Sequence, residues 1–281
     1  MKVRLLIALV LVLPLLLHAK DKLKPEEVVA QHLKSIGTPE ARAAAKTRSA
    51  AGKVHMRIMI GGQGQADGRA FIFSEGQHCR VAMPFDFADY WGEHFVFDPA
   101  KADVGFAQPS VRSGFGTFIR NYDQVLREGL VTGTLSTAWP LLDLAARQSK
   151  LDYDGIKKVE GKEMHQVTYR AKKGQGDMRI LLFFEPETFR HVRTTYSMVV
   201  SAGLGASPEE SSRQTEQRYE LEEIFGGFKE VDGLTLPTQW TLRFTSGTAT
   251  RPMREWVVAF DQIQQNQPID PKVWVIDQTV K

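Results

Sequence analysis

Short segments with strand character, most of them joined by connections of hairpin length, constrain the fold of this chain more than any other feature. In residues 236–245 apolar and polar side chains alternate, which is typical of a half-buried strand because successive side chains point to opposite faces of a sheet. One face carries Leu236, Trp240, Leu242 and Phe244, and the other carries Gln239, Thr241, Arg243 and Thr245. Asp232 and Gly233 tolerate the positive φ of a tight turn. The stretch 228–244 therefore predicts a strand, a turn and a second strand.

The same signals recur on both sides of a central region without them. The predicted strands before residue 110 are 52–60, 68–74, 78–84, 93–98 and 103–107. Those after residue 150 are 155–159, 164–172, 178–185, 189–200, 213–224, 236–245 and 254–264. Hairpin-length connections join neighbouring strands in opposite directions, so the sheet should be mainly antiparallel. Residues 201–212 are predicted to form a disordered polar loop.

Helical patterns are few. One covers 25–36, and a second begins at Thr38 as N-cap with Pro39 at the first helical position. A wide apolar stripe over 114–130 predicts a third helix, and 136–150 predicts a fourth capped by Ser136 or Thr137. Because so few helices cannot cover a long sheet, we expect a strongly curved, open antiparallel sheet wrapped around a helical insertion.

Two predicted strands are apolar on both faces, which indicates that something covers each side. They are the segments MRILLFFEP (178–186) and GRAFIFSEG (68–76). A strand of this kind lies inside a layered core or against a ligand or lid. The concave interior of the curved sheet should therefore be an apolar cavity.

The first 19 residues have the pattern of a secretory signal peptide. Lys2 and Arg4 precede the apolar run 5–17, His18-Ala19 follows, and the chain then turns polar. We expect cleavage near Ala19, a single domain over 20–281, and a periplasmic or secreted protein. An uncleaved membrane anchor is the alternative, although the run is shorter than a membrane-spanning helix requires.

Charge and cysteine content exclude several classes of protein. Lys2 and Arg4 account for two of the 36 basic residues, so the mature chain has 34 against 33 acidic residues. This balance implies neither nucleic acid nor an anionic membrane surface as a partner. Cys79 is the single cysteine, so no intramolecular disulfide can form, and a buried, unreactive thiol is expected.

The order of elements and three segments resemble the LolA/LolB-like family of exported lipoprotein carriers, especially its outlying bacterial relatives. The segments are LLFFEPETFRHVRTTYSM (181–198), FKEVDGLTLPTQWTLRF (228–244) and FDQIQQNQPIDPKVWVI (260–276). The resemblance covers most of the mature chain and is stronger over 155–276 than over 20–150. It implies an incomplete β-barrel with helices as a plug or lid, and an apolar cavity that accepts acyl chains in the periplasm.

Carriers of that family use a basic residue on an early strand to help hold the lid. Arg57, Arg69 and Arg80 all lie on suitable predicted strands, so the resemblance selects none of them. It leaves lipoprotein transfer itself open.

Signals for catalysis are weak. No two of the six histidines outside the signal segment have the spacing of a metal site, and all six are expected in turns or on the surface: His32, His55, His78, His94, His165 and His191. The local acid groups are expected on solvated turns or strand faces: Asp86, Asp89, Asp152, Asp154, Glu220, Glu222 and Glu223. There is no GxSxG elbow, and GGQGQADG lacks the spacing of a phosphate-binding loop. We expect no enzyme activity, no metal and no cofactor.

The sequence thus favours a non-enzymatic carrier that binds lipid or lipoprotein acyl chains between the sheet and the helical lid. The candidate ligand-binding residues are Phe71, Phe73, Phe95, Phe97, Phe115, Phe118, Tyr122, Leu126, Trp139, Leu182, Phe184, Trp240, Leu242 and Phe244. An alternative is an envelope sensor or assembly factor of the same fold, with a self-filled interior and a protein partner, such as an envelope membrane protein. A secreted hydrolase is the third possibility.

Overall fold

A computed structural model describes residues 23–60, 62–172, 176–201, 216–247 and 252–276 of the chain. Both the expected signal peptide and most of the expected disordered loop lie outside these residues. The strands are β1 (Thr47–Ile60), β2 (Gln65–Glu75), β3 (His78–Phe87), β4 (Tyr90–Phe97), β5 (Ala102–Val104), β6 (Lys150–Val159), β7 (Lys162–Arg170), β8 (Arg179–Phe184), β9 (His191–Val200), β10 (Gln217–Gly226), β11 (Lys229–Val231), β12 (Leu234–Leu236), β13 (Gln239–Gly247) and β14 (Met253–Gln265).

Twelve of these strands form one sheet in which every neighbouring pair is antiparallel. Its order is β5-β4-β3-β2-β1-β14-β13-β10-β9-β8-β7-β6. The first strand, β1, pairs with β14 near the end of the chain, and the two edge strands, β5 and β6, do not pair with each other. The prediction of an open, mainly antiparallel sheet is confirmed.

The segment 228–244 divides differently from the prediction. Asp232 and Gly233 adopt φ angles of 49° and 78° and join β11 to β12 in a separate two-stranded hairpin. The strand predicted over 236–245 begins only at Gln239, because Pro237 interrupts it and Leu236 belongs to β12. The predicted apolar face is buried as expected, but Thr245 on the polar face is buried too.

The helices are α1 (Pro25–Ile36), α2 (Pro39–Ala44), α3 (Gly114–Asn121), α4 (Gln124–Arg127) and α5 (Leu144–Arg147), with 3-10 turns at Gly133–Leu135, Pro140–Asp143 and Pro271–Trp274. The first two agree with the prediction, and Thr38 caps α2. The helix predicted over 114–130 is broken into α3 and α4. The fourth predicted helix is reduced to a 3-10 turn followed by α5, whose cap is Asp143, so capping by Ser136 or Thr137 was wrong.

Residues 105–149 connect the two edges of the sheet and contain α3, α4 and α5; we call them the helical insertion. The Phe115 ring lies 5.4 Å from the ring of Phe95 on β4 and 5.4 Å from that of Phe244 on β13. These two strands are five positions apart, which in a flat sheet is about 24 Å. One ring can contact both only because the sheet curves around the insertion, as predicted.

The outer face of the sheet carries a ladder of alternating charges that runs across the strands. Its members, in spatial order, are Glu160, Arg193, Glu222, Arg243, Glu255 and Arg57. The contacts between oppositely charged neighbours range from 2.5 to 3.2 Å. Each interior member thus has an opposite charge on both sides.

The two strands that are apolar on both faces have different explanations. On β8, the outward Phe183 belongs to a small second core with Met164 and Val192. On β2, the outward Phe71 and Phe73 remain partly exposed and stack on each other. A second covering layer is therefore present for β8, while the apolar outer patch of β2 is only half covered.

Candidate functional site

The inner face of the curved sheet and the helical insertion enclose a largely aromatic interior. Twelve of the fourteen candidate ligand-binding residues lie there, and of these Tyr122 alone is only half-buried: Phe95, Phe97, Phe115, Phe118, Tyr122, Leu126, Trp139, Leu182, Phe184, Trp240, Leu242 and Phe244. Phe71 and Phe73 do not join them. They alternate with the buried Ala70 and Ile72, so their side chains lie on the outer face.

These aromatic side chains contact one another closely. Phe118 is 2% exposed and lies 5.3 Å, ring to ring, from both Phe244 on β13 and Tyr219 on β10. Three cavities of about 390, 480 and 760 Å³ lie elsewhere, and of the fourteen candidate residues only Trp139 lines any of these three. In this arrangement the insertion is closed on the sheet and the two surfaces pack directly.

Polar contacts fasten the insertion to the inner face, and the first lies where α3 begins. Glu93 on β4 accepts hydrogen bonds from Ser113, the N-cap of α3, at 2.9 Å and from Tyr90 at 2.9 Å. The carboxyl is buried. Burial raises its pKa to about 7, although both hydrogen bonds favour the ionised form.

Glu223 on β10 makes the second contact. It is fully buried and accepts hydrogen bonds from the backbone N–H of Thr132, from the Tyr196 hydroxyl and from the Trp240 indole, at 2.7 to 3.0 Å. Burial raises the pKa of this carboxyl to about 7 as well. The expectation that Glu223 lies on a solvated strand face was wrong, because β10 alternates and the side chain follows Leu221 and Phe225 inward.

Arg48 on β1 makes the third contact. Only 4% of this residue is exposed, and its guanidinium donates to the backbone carbonyl of Thr134 in the insertion. Burial lowers the pKa of Arg48 to about 10, and among the described residues no carboxylate pairs with it. Its Nε has no hydrogen-bond partner in that part of the chain.

Sequence reasoning missed Arg48 because the predicted first strand began at residue 52. Arg57 instead pairs with Glu255, Arg69 lies over the Phe71 ring, and Arg80 donates to the carbonyls of Val273 and Val275 near the end of the described chain. Arg48 could have been found because it is an even number of residues from Ala50 and Val54 on the same strand, and both of these are buried.

Three histidines contradict the expected surface or turn placement, because His32, His165 and His191 are all buried. Trp139 Nε1 donates to His32 Nε2 at 3.0 Å, and His32 Nδ1 lies 3.1 Å from the Phe189 carbonyl, to which it must donate. The ring is therefore neutral, and burial lowers its pKa to about 4. His32 occupies the apolar stripe of α1, so its spacing was the available signal.

His191 and His165 are also held as interior groups. His191 stacks on Trp139 at 4.6 Å and bonds Thr194 at 2.8 Å, and burial lowers its pKa. His165 bonds Tyr153 at 2.8 Å and stacks on Phe189. Across the described ranges, no group of three or more His, Cys, Asp or Glu residues could hold a metal ion.

No protein-family model and no curated protein matches the chain. Among solved structures it is similar to a LolA superfamily protein from Nitrosomonas europaea, at 12% identity, TM-score 0.44, and coverage of 90% of this chain and 98% of that one. It is also similar to a DUF1329 family protein from Desulfovibrio piger, at 12% identity, TM-score 0.47 and coverage of 89% and 96%. A third is a putative outer membrane lipoprotein-sorting protein domain from Vibrio parahaemolyticus, at 8% identity, TM-score 0.47 and coverage of 89% and 96%.

These neighbours agree with the resemblance drawn from the sequence. At these identities and TM-scores, the likenesses carry no argument about what this chain binds. In the part of the chain that the structure describes, no helix has the length and apolar character needed to cross a membrane.

Proposed function

We propose that this protein is a non-enzymatic, periplasmic binder of an apolar ligand, such as lipid or lipoprotein acyl chains, and that the helical insertion is its movable lid. The observation that carries this proposal is the way the insertion is attached. Glu93, Glu223 and Arg48 each bond it from the inner face of the sheet, and within the described ranges none of the three has an opposite charge bonded to it.

Such groups are a costly way to build a permanent core. Buried polar groups stabilise less than well-packed apolar residues of similar size, and an unpaired buried charge costs several kcal/mol. If the insertion moves away, however, water reaches these groups and their desolvation cost is relieved. The polar contacts therefore define one closed position while lowering the free energy needed to open it.

An apolar ligand would stabilise the open position of the insertion. Lifting the insertion exposes aromatic surface on both sides, and acyl chains could cover that surface. Each buried methylene contributes about 0.8 kcal/mol, so a single long chain can offset the exposure of several side chains. The closed packing is then the ligand-free state.

A second candidate function, a sensor or assembly factor that binds a protein, is favoured by the same close packing. In that case the aromatic interior is permanently filled, and the outer surface of the domain makes the functional contact. The two candidates differ in whether the insertion separates from the sheet while the sheet stays folded.

A charge placed on each side of the interface tests this difference. Phe118→Asp should weaken binding of the neutral fluorescent probe N-phenyl-1-naphthylamine at least tenfold while the melting temperature falls modestly. The loss of stability is limited because the lid can open and let water reach the new charge. Trp240→Asp, in the centre of the sheet, should unfold the domain. Thr117→Asp is the matched control, because it places the same charge on the exposed side of α3 and should change neither quantity.

Two results would contradict the lid. One is a Phe118→Asp variant that unfolds as completely as Trp240→Asp. The other is a wild-type protein that binds no apolar probe, which would favour the protein-binding sensor.

A further inference from the structure

A cavity of about 390 Å³ lies beside the start of β1, between α1, α2 and the helical insertion. Its volume is within the range of about 300 to 1,000 Å³ that is usual for small-molecule sites. The charged side chains that line it are all basic: Arg42, Lys46 and Arg48. The cavity is therefore an electropositive site.

Arg48 is the group in this cavity with the most unfilled bonding capacity. A guanidinium has five N–H donors, and the one bond formed by Arg48 among the described residues goes to the Thr134 carbonyl. Its Nε lacks an acceptor there. Arg193 is buried to the same degree, at 5% exposed against 4%, and its Nε also lacks an acceptor among the described residues, but its two terminal nitrogens bond carboxylates, those of Glu160 and Glu222.

The two other cations that line the cavity differ in how firmly they are held. Arg42 donates to the carbonyls of Leu33 and Gly37 at the end of α1, which holds its guanidinium in place. Lys46 is exposed, and its ammonium pairs with no carboxylate within the described residues. An anion entering the cavity would therefore contact Arg42, which is held in place, Lys46, which is exposed, and Arg48, which is buried.

The rest of the wall is apolar. Ile36, Trp139, Leu142 and Leu234 line the cavity beside the cations. Trp139 is also one of the interior aromatic residues, so this wall continues into the core between sheet and insertion. A small inorganic anion would leave the apolar wall unused.

We propose that this cavity holds the anionic head group, a carboxylate or a phosphate monoester, of a single-chain amphiphile. This inference deepens the proposed function and rests on it, because it assigns the head group of the apolar ligand. The head group accepts hydrogen bonds from Arg48 and Lys46, and the first part of the chain lies against Trp139 and Leu142. The hydrogen bond from Arg48 to the Thr134 carbonyl has one charged partner, whereas a bond to an anionic head group has two and adds the attraction of opposite charges, so the anion is the better acceptor.

The test compares ligands that differ in the head group alone. Binding of dodecyl phosphate, 1-dodecanol and inorganic phosphate to the full mature chain is measured by isothermal titration calorimetry below the micellar concentration. Dodecyl phosphate should bind at least tenfold more tightly than dodecanol, and inorganic phosphate much more weakly than either. Arg48→Gln should remove the advantage of the phosphate, and Lys46→Gln should reduce it at least threefold.

Lys46→Gln protects the test from a folding defect, because this side chain is exposed. Lys53→Gln is its matched control, because Lys53 is an exposed lysine on β1 that does not line the cavity, and it should change nothing. Equal affinities for dodecyl phosphate and dodecanol would overturn the anion site and leave the apolar binder intact. Inorganic phosphate that binds as tightly as dodecyl phosphate would overturn the amphiphile. Failure of all three ligands to bind would count against the proposed function itself.

Discussion

Each face of the sheet buries one arginine, and the two arginines differ in the groups that accept their hydrogen bonds. On the outer face, Arg193 lies between two carboxylates at 2.5 and 2.6 Å, within a ladder that alternates in charge. On the inner face, Arg48 has one backbone carbonyl as its acceptor among the described residues. The Nε of each arginine lacks an acceptor among the described residues, so the two differ in that Arg193 has carboxylates as partners and Arg48 does not.

Two of the three outer carboxyl groups follow the same division; Glu222 is the exception, because burial raises its pKa in spite of Arg193 and Arg243. On the outer face, the hydrogen bond from Arg193 holds the pKa of Glu160 below its usual value. Burial opposes ionisation of Glu255, but hydrogen bonds from Arg243 and Arg57 still lower its pKa. On the inner face, burial raises the pKa of both Glu93 and Glu223 to about 7. Each outer carboxyl group has an arginine bonded to it, whereas among the described residues no arginine bonds Glu93 or Glu223.

Replacing the two arginines by methionine should give the largest contrast. Arg193→Met removes the nearest partner of both Glu160 and Glu222 and leaves them only the longer contacts to Arg243, at 3.4 and 3.2 Å, so we expect a loss of about 3 kcal/mol in the free energy of unfolding. Arg48→Met removes a buried charge together with one hydrogen bond, so the free energy of unfolding should change by less than about 1 kcal/mol. Urea denaturation measures both. Equal losses would show that the two sites are equivalent and would break the comparison.

The pH dependence of the free energy of unfolding tests whether the buried carboxyl group of Glu223 is protonated in the folded protein. In the folded protein Glu223 has a pKa of about 7, against an ordinary value of 4.5. Between these two pH values the folded state therefore keeps the proton on Glu223, and the unfolded state does not. Stability from this group is present at low pH and is lost as the pH rises, by about 2 kcal/mol between pH 5 and pH 8.

Glu223→Gln isolates that contribution, because the variant does not titrate. The difference in unfolding free energy between wild type and variant should fall as the pH rises. This difference also cancels the buried histidines, which act in the opposite direction: His32 has its pKa lowered to about 4, so it costs stability as the pH falls below about 6.5. A difference that is independent of pH would mean that Glu223 is ionised or hydrated in the closed state.

Cys79 should give the smallest effect. It is fully buried on β3, and burial raises the pKa of the thiol to about 12, although the neighbouring Ser136 hydroxyl acts in the opposite direction. Cys79→Ser should change probe binding by less than a few-fold, because the Ser136 hydroxyl can also bond a serine. The folded protein should resist alkylation by iodoacetamide at pH 8. A loss of binding above tenfold with unchanged thermal stability would reveal a role for the thiol.

Regions with a clean period could be predicted from the sequence. The alternation over 239–244, the helical pattern over 25–36 and the Thr38 cap of α2 are local signals, and each gave the observed element. The open sheet followed from the number of strands and the scarcity of helices. Strand bounds near Ala50-Ala51-Gly52 were missed, because small residues carry little strand propensity, and Arg48 was missed with them.

The polar part of the site was harder to predict because it depends on which face a residue occupies. Glu222 and Glu223 are chemically identical neighbours, yet one joins the outer ladder and the other is buried beneath the insertion. Leu221 and Phe225, two residues to either side of Glu223, marked the inner face in advance. The partners of Glu223 come from β9, β13 and the insertion, and such long-range contacts leave no local pattern in the sequence.

Hydrogen exchange followed by mass spectrometry tests the movable insertion most directly. The amides of α3 and α4 should open with a free energy well below that of β13 and β14, since lids come from the least stable part of a structure. Adding the neutral apolar probe should slow amide exchange in the central strands of the sheet and should also change the exchange rate of the insertion. The hairpin of β6 and β7 at the edge of the sheet should be little affected. If the insertion and the central strands instead exchange with the same free energy, and the probe changes neither, they form one cooperative core and the lid does not exist.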